Sequence, residues 1–153
     1  EPYRRQRQMC IRDSRLEYVM TVNGVPYYND SKATNPDSTI KALEAFDGHI
    51  ILLAGGHDKM TSLEPMMKLV QAKADVLILL GEAKERFYEA AAGAGVGDIR
   101  KVETMDEAVE LAYKLAAAPQ VVLLSPACSS YDMFENFPAR GRYFKNLVAA
   151  LPK

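Results

Sequence analysis

The sequence predicts a three-layer α/β/α domain whose sheet is mostly parallel and which carries an antiparallel hairpin at its N-terminal edge. Three observations predict it. Continuous apolar runs such as Ile50-Ile51-Leu52-Leu53-Ala54 and Val121-Val122-Leu123-Leu124 have the length and composition of strands covered on both faces. Longer segments with helical spacing of apolar residues separate these runs, so buried strands alternate with amphipathic helices, which favours right-handed crossovers and parallel pairing. Near the start, Asn23-Gly24 joins two β-rich runs and is the dipeptide best suited to a two-residue hairpin turn.

Taken in order, residues 16–20 and 25–29 form the hairpin, and Pro26 argues for an edge position or an irregular start of the second strand. Asn35-Pro36-Asp37-Ser38 reads as a helix start, with proline at the first helical position and polar groups in the first turn. Ile40, Leu43 and Phe46 give that helix its apolar face, and Gly48 stops it. Residues 49–54 are a strand, 63–74 a helix, 76–80 a buried strand and 84–92 a helix. A short strand at 99–102, a helix at 105–117, a strand at 121–124 and a last helix from about 139 to 151 complete a Rossmann-like layer arrangement. Gly93-Ala94-Gly95-Val96-Gly97 imitates a dinucleotide fingerprint, but it follows a helix and precedes a strand, where glycine ends a helix and binds no pyrophosphate.

Composition narrows the function classes. The chain has 153 residues, 48% of them hydrophobic and 25% charged, which suits one soluble domain with a substantial core. No apolar run approaches the roughly 18–20 residues that span a bilayer, so no membrane association is expected. Two cysteines, Cys10 and Cys128, argue against a disulfide scaffold and for a reducing compartment. Cys128 reads as a small buried thiol, since no motif places a histidine base beside it. Two histidines, His49 and His57, with no Cys/His ligand spacing, disfavour a metal site. The net charge of −1 disfavours a nucleic-acid-binding domain, but it is an average over two unlike parts. Residues 1–15 hold five arginines against Glu1 and Asp13, a net +3, which leaves −4 for the remainder. A basic arm for an anionic surface and a solvated leader are two readings of residues 1–14. The favoured one is a non-native leader, because Arg5 to Ser14 (RQRQMCIRDS) resembles translated sequencing-adapter sequence. The domain is therefore expected over residues 15–153.

In open α/β sheets ligands bind beyond the carboxyl ends of the strands, and three such segments here are dense in small and polar residues. The first is Asp30-Ser31-Lys32-Ala33-Thr34-Asn35-Pro36. Thr34 or Asn35 serves as an N-cap, but Lys32 stands just ahead of a positive helix end, where an anionic ligand would relieve its unfavourable position. The second is Gly55-Gly56-His57-Asp58-Lys59, in which two glycines permit close backbone approach and Lys59 can reach a carboxylate or phosphate. It lacks the G-x-x-x-x-G-K-[ST] spacing of a P-loop, and His57 reads as a loop residue. The third is Ser125-Pro126-Ala127-Cys128-Ser129-Ser130-Tyr131-Asp132-Met133-Phe134, where Ser125-Pro126 breaks the strand and hydroxyls crowd the turn.

Together with Tyr28-Asn29 before the first segment and Phe137, Arg140, Gly141 and Phe144 after the third, these blocks resemble the C-terminal domain of the Mur ligases, in its D-glutamate-adding branch. The resemblance spans residues 15–151, and it departs from the family where Ser14 replaces the histidine that usually precedes Arg15. It implies a bacterial cytoplasmic enzyme of peptidoglycan precursor synthesis. ATP phosphorylates the carboxylate of UDP-N-acetylmuramoyl-L-alanine, and the D-glutamate amine then displaces phosphate from the acyl phosphate. By resemblance, Thr34, Lys59, Ser130, Tyr131 and Phe137 line the D-glutamate site. Arg15, Asp30 and Lys32 face ATP, and Lys32 is the catalytic residue, stabilising the phosphoryl group or the tetrahedral intermediate. ATP and Mg²⁺ belong to the complete enzyme and its N-terminal and central domains. The domain alone is expected to bind neither, to be monomeric and to be inactive. The alternatives are a non-catalytic binding module of the same fold and a folylpolyglutamate-type ligase, against which the Ser125–Phe137 block speaks.

Overall fold

The computed structural model describes residues 16–57, 60, 62–130 and 134–152. The expected leader, together with Arg15, Asp58, Lys59, Tyr131 and Asp132, lies outside the described residues.

Strands β1 (Glu17–Val22) and β2 (Val25–Asn29) form the expected hairpin, with Val22 opposite Val25. Asn23 and Gly24 both take positive φ, 53° and 81°, as the two-residue turn that matches strand twist requires. Helix α1 (Pro36–Glu44) follows, then β3 (Ile50–Ala54), α2 (Glu64–Lys73) and β4 (Ala74–Leu79). Helix α3 (Lys84–Gly93), β5 (Ile99–Lys101), α4 (Met105–Leu115), β6 (Val121–Leu124) and α5 (Phe137–Ala149) complete the chain. The sheet has six strands in the order β1-β2-β6-β3-β4-β5, and β1 alone is antiparallel to its neighbour.

Alternation along the central strands builds the layers, because successive side chains leave a strand on opposite faces. On one face Ile50, Leu52, Leu77 and Leu79 pack with Leu43, Met66, Met67, Val70 and Phe87 of α1, α2 and α3. On the other, Ile51, Leu53, Ile78, Val122 and Leu124 pack with Met105, Val109, Ala112, Phe144 and Val148 of α4 and α5. Every residue of β3 is buried, so neither face can be solvent-facing. Each large side chain so buried contributes about 1.5–3 kcal/mol. Tyr27 on β2 is also buried, and that burial, with Tyr113 nearby as a lesser cause, pushes its phenol up to about 12.

Of the two readings of Pro26 the irregular start holds: β2 is internal, between β1 and β6, and its pairing with β6 begins only at Tyr27. One local expectation is corrected. Helix α5 starts at Phe137, not near residue 139, because Asn136 caps it by accepting from Ala139 N at 2.8 Å and Pro138 fits its first turn. The same combination opens α1, where Asn35 accepts from Ser38 N at 2.9 Å and settles which residue is the N-cap. The Gly93–Gly97 segment ends α3 as expected, with Gly95 at φ 87°.

Candidate functional site

The strand order decides where the chemistry gathers. β2, β6 and β3 are neighbours, so the three polar segments that follow them leave adjacent strands at the same end of the sheet. Their backbones are stitched directly: Asp30 N donates to Leu124 O (2.7 Å), Ala127 N to Ala33 O (3.0 Å), Gly55 N to Pro126 O (3.0 Å) and His57 N to Ser129 O (3.0 Å). The β6 loop is thus held between the other two. Ala127 adopts φ 63°, a conformation that an L-residue keeps only where its surroundings enforce it.

Close approach explains the glycine pair. A Cβ on Gly55 would lie 1.9 Å from Leu80 O, and one on Gly56 would lie 2.5 Å from Ser129 O. Both have positive φ, so side chains are excluded by space and by conformation.

Beneath the loops lies a buried polar layer. Asp30 is fully buried; Ser125 Oγ donates to its Oδ2 at 2.9 Å. Ser125 Oγ is also 3.0 Å from Thr39 Oγ1, whose hydroxyl donates to Ser125 O at 3.1 Å, tying the layer to α1. Arg140 of α5, 3% exposed, donates from Nε to Ser31 Oγ (2.9 Å) and from Nη2 to Ser31 O (2.7 Å). Ser31 Oγ in turn donates to Phe137 O at 2.7 Å. Ser129 and Ser130 are buried in the same region. Cys128 is buried too, as a small thiol.

Above this layer, a surface cleft of about 370 Å³ is lined by Lys32, Phe137, Arg142, Lys145, Glu17 and Ser31, among others. Glu17 accepts from Asn29 Nδ2 (3.0 Å) and from Lys145 Nζ (3.2 Å). Lys32, Arg142 and Lys145 against the single carboxylate of Glu17 leave the cleft positive, suited to a carboxylate or a phosphate.

The expected site residues divide as follows. Lys32 is exposed and shares this cleft with Phe137, itself 37% exposed. Thr34 is half-buried on the first loop and Ser130 buried on the third, on segments joined through Ala127 and Ala33. Asp30 sits in the buried layer, bonded to Ser125. Arg15, Lys59 and Tyr131 lie outside the described residues. His57 is exposed and pairs with Glu82 at 3.1 Å. Sequence reading assigned no role to Ser125, Thr39, Ser31 or Arg140. Arg140 was detectable, because it stands four residues before Phe144 and so places a cation on the helix face that turns inward.

Among the described residues no group of three His, Cys, Asp or Glu side chains could hold a metal ion. No helix among them is long and apolar enough to cross a membrane.

Residues 14–128 match the family profile described as Mur ligase, glutamate ligase domain. A curated relative, the UDP-N-acetylmuramoylalanine--D-glutamate ligase of Geotalea uraniireducens (strain Rf4), is 48% identical over 137 residues, covering 90% of this chain and 30% of that protein. The chain therefore spans about 30% of the length of the relative it matches. Among solved structures, a domain from a UDP-N-acetylmuramate:L-alanyl-gamma-D-glutamyl-meso-diaminopimelate ligase of Haemophilus ducreyi 35000HP shares the fold. It has a TM-score of 0.57 at 20% identity, over 87% of this chain and 99% of that one. The folylpolyglutamate synthase of Mycobacterium tuberculosis shares it as well, with a TM-score of 0.57 at 18% identity over 85% of this chain and 31% of that one.

Proposed function

This chain belongs to the Mur ligase family through its glutamate ligase domain, and from that premise we propose that it is the amino-acid-binding part of an ATP-dependent ligase that joins D-glutamate to UDP-N-acetylmuramoyl-L-alanine. The single observation that carries the reading is the convergence of the three motif-bearing loops on adjacent strands, held in register by backbone hydrogen bonds. In this reading Thr34, Lys59, Ser130, Tyr131 and Phe137 receive D-glutamate. Its two carboxylates match a lysine and hydroxyl donors, which bind anions through charge-assisted hydrogen bonds. Lys32 is the catalytic residue, placed to stabilise negative charge on the phosphoryl group as the amine attacks, while Arg15 and Asp30 belong to the nucleotide side. Catalysis then consists of holding the reactants in attack geometry between closing domains.

ATP supplies the phosphoryl group when the complete ligase is assembled, and Mg²⁺ would take its ligands from elsewhere in that assembly. No segment of the 153 residues has the G-x-x-x-x-G-K-[ST] pattern, so the chain by itself is expected not to turn over. A bacterial cytoplasmic setting follows from the same reading. The relatives' sequence similarity, at 48% identity, favours D-glutamate over the folylpolyglutamate alternative, for which the likeness is one of fold.

The test is a chimera in which this chain replaces the matching segment of the Geotalea uraniireducens ligase. ADP release should require both UDP-N-acetylmuramoyl-L-alanine and D-glutamate, and Lys59→Ala should raise the KM for D-glutamate about tenfold or more by removing a charge-assisted contact. Turnover with L-glutamate in place of D-glutamate, or no dependence on Lys59, would contradict the assignment.

A further inference from the structure

We infer that Arg140 is the positioning residue of this site: its buried guanidinium fixes the spacing between the loop that carries Lys32 and the helix end that carries Phe137. For its kinetic consequence the inference rests on the ligase reading above. Its structural content stands without it.

Two physical costs fall on this side chain. It is a cation with 3% exposure, and burying a charge is unfavourable unless hydrogen bonds replace its water. It also sits in the first turn of α5 (Phe137–Ala149), the positive end of the helix dipole. An apolar side chain would fill the space without either cost, so packing alone does not explain an arginine here.

What the guanidinium does supply is a planar fork. Nε and Nη2 grip two atoms of one residue, Ser31 Oγ at 2.9 Å and Ser31 O at 2.7 Å. Ser31 Oγ then donates to Phe137 O at 2.7 Å, so the ring of contacts runs from α5 to the first loop and back to the first residue of α5. Ser31 directly precedes Lys32, which the ligase reading puts on the phosphoryl side, and Phe137 lies on the amino-acid side. Two glycines admit the fork. A Cβ on Gly141 would stand 2.9 Å from Asn29 Nδ2 and 3.3 Å from Ser31 Cβ, and one on Gly56 would stand 3.3 Å from Arg140 Nη1. The guanidinium therefore grips the first loop and lies beside Gly56 of the second, and lysine, a point charge on a flexible stem, cannot reproduce its two-point grip.

Hydrogen exchange on the 153-residue chain tests the structural arm. In Arg140→Lys, and independently in Ser31→Ala, the amides of Ser31 and Ala33 should exchange about tenfold faster or more, while Leu52 and Leu53 of β3 keep their protection. Acceleration at all of these amides alike, or at none, would overturn the inference. In the active chimera, Arg140→Lys should raise the KM for D-glutamate about tenfold, with the KM for ATP changed less than about twofold, and adding Ser31→Ala should raise it little further. Loss of folded protein lowers the apparent kcat and moves neither KM, so a kcat drop without the KM split would count against positioning. A parent chimera without D-glutamate ligation would contradict the proposed function, and the exchange pattern would then decide for or against Arg140 by itself.

Discussion

The two halves of the sheet treat polar residues in opposite ways. At the carboxyl ends of β2, β6 and β3, Asp30, Ser31, Ser125, Ser129, Ser130 and Arg140 are all buried, and Thr39, also buried, bonds to Ser125. Beside β4 and β5 the polar groups are paired at the surface. Lys101 meets Glu85 at 3.1 Å and lies over the Tyr88 ring, Lys84 meets Glu103, and Arg100 meets Asp98 at 2.7 Å. The first half holds groups in fixed places despite the cost of desolvating them. The second gains little from its pairs, because exposed ion pairs are worth at most about 1 kcal/mol. Polarity at the β2–β6–β3 end is therefore buried and hydrogen-bonded, whereas polarity on the β4–β5 side is paired at the surface.

Substitutions on the two sides probe this contrast. The largest effect is expected from glycine. Gly55→Ala must place a Cβ against Leu80 O, and the Leu80 backbone is itself held by its N–H donating to Ala54 O at 3.1 Å. Chemical denaturation should show a loss of about 3 kcal/mol or more, from strain at positive φ plus the backbone clash. Gly97→Ala, just before β5, meets nothing within 4 Å and should stay within about 0.5 kcal/mol of the parent. An equal cost at both positions would erase the distinction between the halves.

Next comes Ser125→Ala, which strips a donor from the buried Asp30 carboxylate and a contact from Thr39. The expected loss is about 2 kcal/mol, the scale of a hydrogen bond to a charged group. Smallest is Lys101→Ala on the opposite side, which removes an ion pair and a cation–π contact that are both exposed. Thermal unfolding should register less than about 1 kcal/mol for it. A reversed order of these two would show that the surface pairs, and not the buried layer, stabilise the molecule.

Much of this was legible before any coordinates. Continuous apolar runs in the buried strands and Asn23-Gly24 at the turn are local, and local patterns survive folding nearly intact. The three loops were recognisable because their residue types conflict with simple turn chemistry, as Lys32 does ahead of a helix start. The adjacency of β2, β6 and β3 was not legible, since strand order is set by long-range packing that no short spacing encodes. Ser125 and Thr39 escaped for the same reason, being 86 residues apart in sequence and 3.0 Å apart in space. The early start of α5 is a different kind of miss. Asn136-Phe137-Pro138 repeats the start signal used for α1, and it was masked by the neighbouring loop motif.

If the three loops form one amino-acid site, the chain by itself reports it. Two-dimensional amide NMR during titration with D-glutamate, with L-glutamate as control, tests it most directly. Weak, saturable shifts are expected, confined to residues 31–35, 55–57 and 125–130 and to the start of α5, and larger for D- than for L-glutamate. Shifts centred instead on the cleft between α4 and α5 around Tyr113 and Leu147, or equal responses to the two enantiomers, would contradict it.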